Sequence, residues 1–123
     1  MKIIDAFFAH SDDRGQIWDI LVGEVISSIS YVTFNKGAIR GNHIHKRTAQ
    51  WNYVFSGSIK VVTEGLKQES DIINAGKIFL IEPGVAHAMK AIEESQLFVF
   101  TLGDRAGTNF EEDTYRLEQP LII

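Results

Sequence analysis

Gly37-Ala38-Ile39-Arg40-Gly41-Asn42-His43-Ile44-His45-Lys46-Arg47-Thr48-Ala49-Gln50-Trp51-Asn52-Tyr53-Val54-Phe55-Ser56-Gly57 is the stretch on which the reading of this chain turns. It holds two histidines separated by a single residue. In an extended segment residues i and i+2 point to the same face, so His43 and His45 project together into one space. Alternation follows at once: Trp51, Tyr53 and Phe55 fall on one face of a strand, with Gln50, Asn52 and Val54 on the other. Far along the chain, His87 follows the Pro83-Gly84 turn at the start of another strand-like run.

Outward from this stretch the pattern stays the same. Helical periodicity is scarce. Short β-rich runs recur at Ile3–Phe8, Gln16–Val22, Ile26–Phe34, Ile59–Thr63, Asp71–Asn74, Lys77–Ile81, His87–Ala91 and Gln96–Leu102. Turn signals separate them, among them Asp12-Asp13-Arg14-Gly15, Asn35-Lys36-Gly37, Ser56-Gly57 and Ala75-Gly76. So many short strands point to an all-β sandwich or barrel. Gln96–Leu102 carries bulky apolar groups on both faces, which implies a second layer or an oligomer interface. The tail Phe110–Leu117 reads as a short helix or an arm with solvated acids and no chemistry.

A length of 123 residues fits one domain. The absence of cysteine excludes disulfides, thiolate metal sites and thiol catalysis. No apolar run reaches the ~20 residues needed to span a bilayer, and the opening Met1-Lys2-Ile3-Ile4-Asp5 meets a charge before a signal-peptide core. A cytoplasmic protein without membrane contact is expected. A net charge of −4 argues against nucleic-acid binding. That charge is unevenly placed: no acid lies between Glu24 and Glu64, a window holding Lys36, Arg40, Lys46, Arg47 and Lys60. Such a window suits a cleft for an anionic small molecule.

Gly37-x5-His43-x-His45-x4-Gln50-x6-Gly57 resembles the first motif of the cupins, with Gln50 in place of the usual glutamate. Gly76-x5-Glu82-Pro83-Gly84-x2-His87 resembles the second, with Glu82 where a proline is common and Ala91 where an asparagine is common. The resemblance implies one cupin domain over residues 1–123, a jelly roll or conical antiparallel β-barrel with the histidines aimed inward. Arg40-Gly41-Asn42-His43-Ile44-His45-Lys46 is similar to a segment of bacterial sugar-nucleotide 3,4-ketoisomerases and, more distantly, of dTDP-4-dehydrorhamnose 3,5-epimerases. Asp13-Arg14-Gly15 matches part of a signal of both groups, and Gln50 is frequent in the ketoisomerase pattern.

That resemblance implies proton abstraction beside the carbonyl of a nucleotide-linked keto sugar, in bacterial polysaccharide sugar biosynthesis. Such chemistry needs a base near neutral pKa, an acid and a stabiliser of the oxyanion. By resemblance His43 is the base, His45 its partner or a second proton shuttle, and Tyr31 the acid or a donor to a sugar oxygen. Arg40 and Arg14 would hold the diphosphate or the oxyanion, with Gln50 and Trp51 as further substrate contacts. This reading requires no cofactor. A second reading is a metal-binding cupin, with His43, His45 and His87 as nitrogen ligands, Gln50 or water completing the shell, and Zn, Mn, Fe or Ni as the ion. A third is a non-catalytic module binding a sugar or another small anion. The resemblance also implies a homodimer, often with exchanged N-terminal strands, which the greasy Ile3, Ile4, Phe7 and Phe8 would suit.

Overall fold

The computed structural model describes residues 1–103 and 112–123. The strands are β1 (Lys2–Asp5), β2 (Phe7–Asp12), β3 (Gly15–Asp19), β4 (Ser28–Phe34), β5 (Ile39–Ile44) and β6 (Ala49–Ser56). They continue as β7 (Ser58–Glu64), β8 (Gln68–Asn74), β9 (Lys77–Ile81), β10 (Ala86–Ala91), β11 (Ser95–Leu102) and β12 (Tyr115–Arg116). No helix occurs among the described residues, and so none is long and apolar enough to cross a membrane.

Two five-stranded antiparallel sheets face each other, ordered β1-β9-β6-β11-β4 and β12-β5-β10-β7-β8, and β2-β3 forms a separate hairpin. This is the all-β sandwich expected from the strand count, in the jelly-roll form that the cupin resemblance implies. The sheets do not close into a continuous barrel. The expected strand Ile3–Phe8 is divided at Ala6, whose amide donates to the Gly76 carbonyl at 3.1 Å. β1 stays on the edge of the first sheet, and the chain then leaves it for the hairpin. The tail is an arm, not a helix, over its described part: β12 pairs Tyr115 with Ile44 and Arg116 with His43. Residues 110 and 111 of that expectation lie outside the described residues.

The inner rows of four strands run from apolar to polar in one direction. β6 reads Val54, Asn52, Gln50; β11 reads Leu97, Val99, Thr101; β7 reads Ile59, Val61, Thr63; β10 reads Ala91, Met89, His87. Register aligns them, with Thr101 opposite Gln50, His87 opposite Thr63, and Leu97 opposite Val54. One half of the interior is therefore a hydrocarbon core, in which Phe34, Val54, Ile59, Ile73, Phe79 and Leu97 are buried together. Each such side chain contributes roughly 1.5–3 kcal/mol of burial. The other half, around Gln50, His87 and His43, is polar, and the apolar half holds it in place.

Candidate active site

His43 and Arg40 stand three residues apart, an odd spacing that would place them on opposite faces of a regular strand. A bulge in β5 corrects this. Gly41 (φ 93°) and Asn42 (φ 57°) both adopt left-handed backbone, and the pairing with β10 slips between His87 and Ala88. His43 then faces His87 and Arg40 faces Met89, so both side chains share the inner face. Glycine is needed at 41 for a second reason: a Cβ there would sit 2.9 Å from the His87 carbonyl oxygen and 3.1 Å from Ala88 Cα. Asn42 tolerates its conformation better than most residues. Its side chain accepts from the amides of Leu121 (2.8 Å) and Ile122 (3.2 Å) and donates to the Ile122 carbonyl (2.9 Å).

The three imidazoles meet. Ring centroids lie 4.5 Å apart for His43 and His45, 4.6 Å for His43 and His87, and 5.1 Å for His45 and His87. One ring nitrogen from each lies within 4.8 Å of the others. His45 and His87 are buried, whereas His43 is partly exposed. His45 Nδ1 is 2.7 Å from the Asp113 carbonyl and His87 Nδ1 is 3.1 Å from the Val85 carbonyl. A carbonyl only accepts, so each Nδ1 carries the hydrogen. In the neutral ring, Nε2 then holds the lone pair.

Asp113 builds this corner from the far end of the chain. Its carboxylate accepts from the Lys46 amide (3.0 Å), the Arg47 amide (2.8 Å) and the Thr48 hydroxyl (2.7 Å). Burial pushes the Asp113 carboxyl upward, but those donors outweigh it and hold the group below its ordinary value. The side chain thus fixes the turn after His45 while the carbonyl orients the His45 ring. Contrary to the solvated acids expected of this tail, Asp113 is fully buried. No local pattern announces it, because its partners lie more than 60 residues earlier.

Gln50 is buried, and its amide orientation follows from Asn52. Asn52 Nδ2 donates to the carbonyls of Gln50 and Phe79, both at 3.3 Å, so Asn52 Oδ1 accepts from Gln50 Nε2 at 2.6 Å. Gln50 Oε1 is left without a hydrogen-bond partner among the described residues. A cavity of about 370 Å³ opens here, lined by His43, Gln50, Arg40 and Arg116 on its polar side and by Val32, Phe34, Met89 and Val99 on its apolar side. The Arg40 guanidinium donates to the Thr33 carbonyl (3.1 Å) and lies 5.3 Å from the Phe34 ring centre.

Three expected site residues lie elsewhere. Tyr31 sits between the inward Ser30 and Val32 on β4 and is exposed on the outer face. There its hydroxyl donates to Gln96 Oε1 at 2.8 Å and its ring packs 5.5 Å from Phe98. Trp51 is one residue from Gln50 and so points the other way, into an outer groove of about 200 Å³ with Ile4, Phe7, Ile78 and Leu80. Arg14 is on the β2-β3 turn, 2.6 Å from Asp12, and Asp12 is held down to about 2 by the Arg14 side chain and amide. His10, the fourth histidine, is on the same hairpin, 3.1 Å from Asp12.

The model of the family described as Cupin matches residues 19–114. The chain belongs to the cupin family. This cupin is 40% identical over 77 residues to an oxalate decarboxylase of Arthroderma benhamiae, covering 59% of the chain and 18% of that protein. It is 30% identical over 101 residues to an oxalate decarboxylase of Bacillus subtilis, covering 80% of the chain and 25% of that protein. The chain therefore spans a quarter or less of these curated relatives' length. Among solved structures, it resembles a 3,4-ketoisomerase from Helicobacter canadensis with a TM-score of 0.76 and 24% identity, covering 94% of this chain and 89% of that one. A sugar 3,4-ketoisomerase from Thermoanaerobacterium thermosaccharolyticum, solved with TDP, follows at 0.74 and 22%, covering 94% and 88%. A dTDP-4-dehydrorhamnose 3,5-epimerase from Sulfolobus tokodaii gives 0.70 and 20%, covering 85% and 71%. At these identities the structural likenesses establish the fold.

Proposed function

We propose that this cupin acts on a nucleotide-linked keto sugar, removing a proton beside the carbonyl with His43 as the base. One observation carries the reading: of the three clustered imidazoles, His43 is the one that lines the cavity shared with Arg40 and Arg116. A cavity near 370 Å³ is within the range of small-molecule sites. The sugar ring would enter it and the nucleotide would run out through its mouth. An imidazole has an unperturbed pKa near 6.5, suited to taking and returning a proton at neutral pH. Arg40 is placed to hold the diphosphate or the enolate oxygen. His45 and His87 stand behind His43 with their Nδ1 hydrogens committed to backbone carbonyls. Tyr31 has no part in this scheme, since its hydroxyl is on the outer face. The ligands named for the similar ketoisomerase structures, TDP and TDP-4-keto-6-deoxyglucose, support the substrate class.

The test is incubation with dTDP-4-keto-6-deoxyglucose in deuterated water, read by mass spectrometry. Deuterium should appear on a carbon beside the carbonyl, and His43→Ala should abolish it. No incorporation across a panel of 4-keto nucleotide sugars would overturn the proposal. Ligand-induced stabilisation without any exchange would leave a non-catalytic binding module.

A second reading rests on the tautomers. Nδ1–H bonds to backbone carbonyls are the arrangement that orients metal-ligating histidines, and Gln50 Oε1 is a buried acceptor turned away from Asn52. The residues present therefore fit a divalent ion held by His43, His45 and His87, with Gln50 as a neutral fourth donor. Such an ion would polarise a carbonyl or carboxylate oxygen of the substrate. The relatives named as oxalate decarboxylases extend this reading to a small dicarboxylate. Metal analysis of protein purified without added metal separates the two: a stoichiometric ion lost in His43→Ala favours the second.

We infer a second copy of the chain as the macromolecular partner. The outer face of the first sheet exposes Ile29, Tyr31 and Phe55 around Phe98, and the hairpin exposes Phe7 and Trp18. Contiguous apolar surface of this kind marks an association site. Light scattering should give a dimer mass at micromolar concentration; a monomer mass would contradict it.

A further inference from the structure

We propose that Arg116, on the C-terminal strap, is the anion-binding partner of Arg40 in the cavity, in the place that the sequence resemblance gives to Arg14. The inference rests on the sugar-nucleotide reading for the identity of its ligand, the phosphate oxygens of a nucleoside diphosphate. It rests on geometry for everything else.

Arg116 pairs in register with His43 across β12 and β5. Directly opposed residues of an antiparallel pair share a face, so Arg116 lies on the inner side, as Arg40 does. Two guanidiniums therefore flank His43, and both line the same cavity. No carboxylate lines that cavity among the described residues. Two guanidiniums facing one cavity suit a multiply charged anion, since guanidinium offers the paired donors that phosphate oxygens take bidentately.

The strap is held on both sides of Arg116. Upstream, the Asp113 carboxylate is fastened to the 46–48 turn. Downstream, the Leu117 amide donates to the Asn42 carbonyl at 2.9 Å, and the Asn42 side chain grips the backbone at Leu121 and Ile122. The backbone beneath Arg116 is thus fixed before any ligand arrives, which lowers the cost of binding. It is also tied to the turn that follows His45, so one segment sets both the ring and the cation. Arg14 lies on the hairpin, 2.6 Å from Asp12, and does not line this cavity.

Isothermal titration of the full chain with dTDP tests this. Arg116→Gln should weaken binding about 10- to 100-fold. Arg14→Gln should change it less than about twofold. Arg116→Lys should recover part of the loss, since it restores charge without the fork. In the exchange assay Arg116→Gln should raise KM with kcat little changed, whereas His43→Ala removes exchange. Thermal melts of each variant confirm that the fold is kept. Unchanged dTDP affinity in Arg116→Gln would overturn the proposal, as would the absence of binding for dTDP, inorganic pyrophosphate and oxalate alike. Should dTDP fail to bind while pyrophosphate or oxalate binds with the same dependence on Arg116, the two-arginine site stands and the sugar-nucleotide reading falls.

Discussion

The two faces of the first sheet are built from neighbouring residues and have different uses. On β6, Gln50 and Asn52 point inward and form a fixed amide pair beside the histidines, while Trp51, Tyr53 and Phe55 point outward. On β4, Val32 and Phe34 line the cavity, while Ile29 and Tyr31 are exposed. On β6 the polar side chains thus lie inside and the aromatic ones outside, the reverse of a simple burial rule. The interior tolerates this because Asn52, Thr48 and Asp113 are hydrogen-bonded there and because the apolar half of each inner row supplies the core. The exposed aromatics of the outer face, Tyr31 and Phe55, form the surface proposed above for a second copy.

The largest test of this division compares His43 with Tyr31. His43→Ala should lower exchange about 10²- to 10⁴-fold, the usual worth of a general base. Tyr31→Phe should leave it within about twofold. A large loss in Tyr31→Phe would mean that the outer face of one copy completes the site of another. Next in size is Asp113→Ala, which strips a buried carboxylate from the Lys46 and Arg47 amides and the Thr48 hydroxyl. About 3 kcal/mol should be lost, read from urea unfolding midpoints. Gly41→Ala should cost about 2 kcal/mol through its left-handed backbone and its contact with the His87 carbonyl. It should also disturb the shared facing of Arg40 and His43.

On the outer side, Phe98→Ser should shift the light-scattering mass toward the monomer while the His43-dependent chemistry within each copy persists. The smallest effect belongs to the hairpin. Arg14→Gln should move the Asp12 carboxyl from about 2 up toward the ordinary carboxylate range, followed by carbon-13 NMR. Because the folded value is depressed, Asp12 contributes stability above the unfolded carboxylate value, and that contribution is lost as pH falls through about 2.

Much of this was readable in the chain. Short runs between Gly, Asn and Pro gave strands close to β4, β6 and β9, and the i, i+2 spacing correctly put His43 and His45 on one face. What escaped depended on parity and distance. Ile26–Phe34 carries large groups on both faces, so alternation alone does not say whether Tyr31 or Val32 turns inward. The bulge at Gly41-Asn42 changes the facing of Arg40 without altering composition. Asp113 and Arg116 act on residues about 70 positions earlier, through a pairing of just two residues. No window along the sequence contains both partners.

The most direct measurement is NMR of the chain with isotope-labelled histidine. Convergence of the three rings should give cross-ring contacts among His43, His45 and His87 and none to His10. The nitrogen shifts of His45 and His87 should mark both as protonated on Nδ1. Rings of His43 and His87 with no contact between them, or His45 and His87 protonated on Nε2, would contradict a shared interior site.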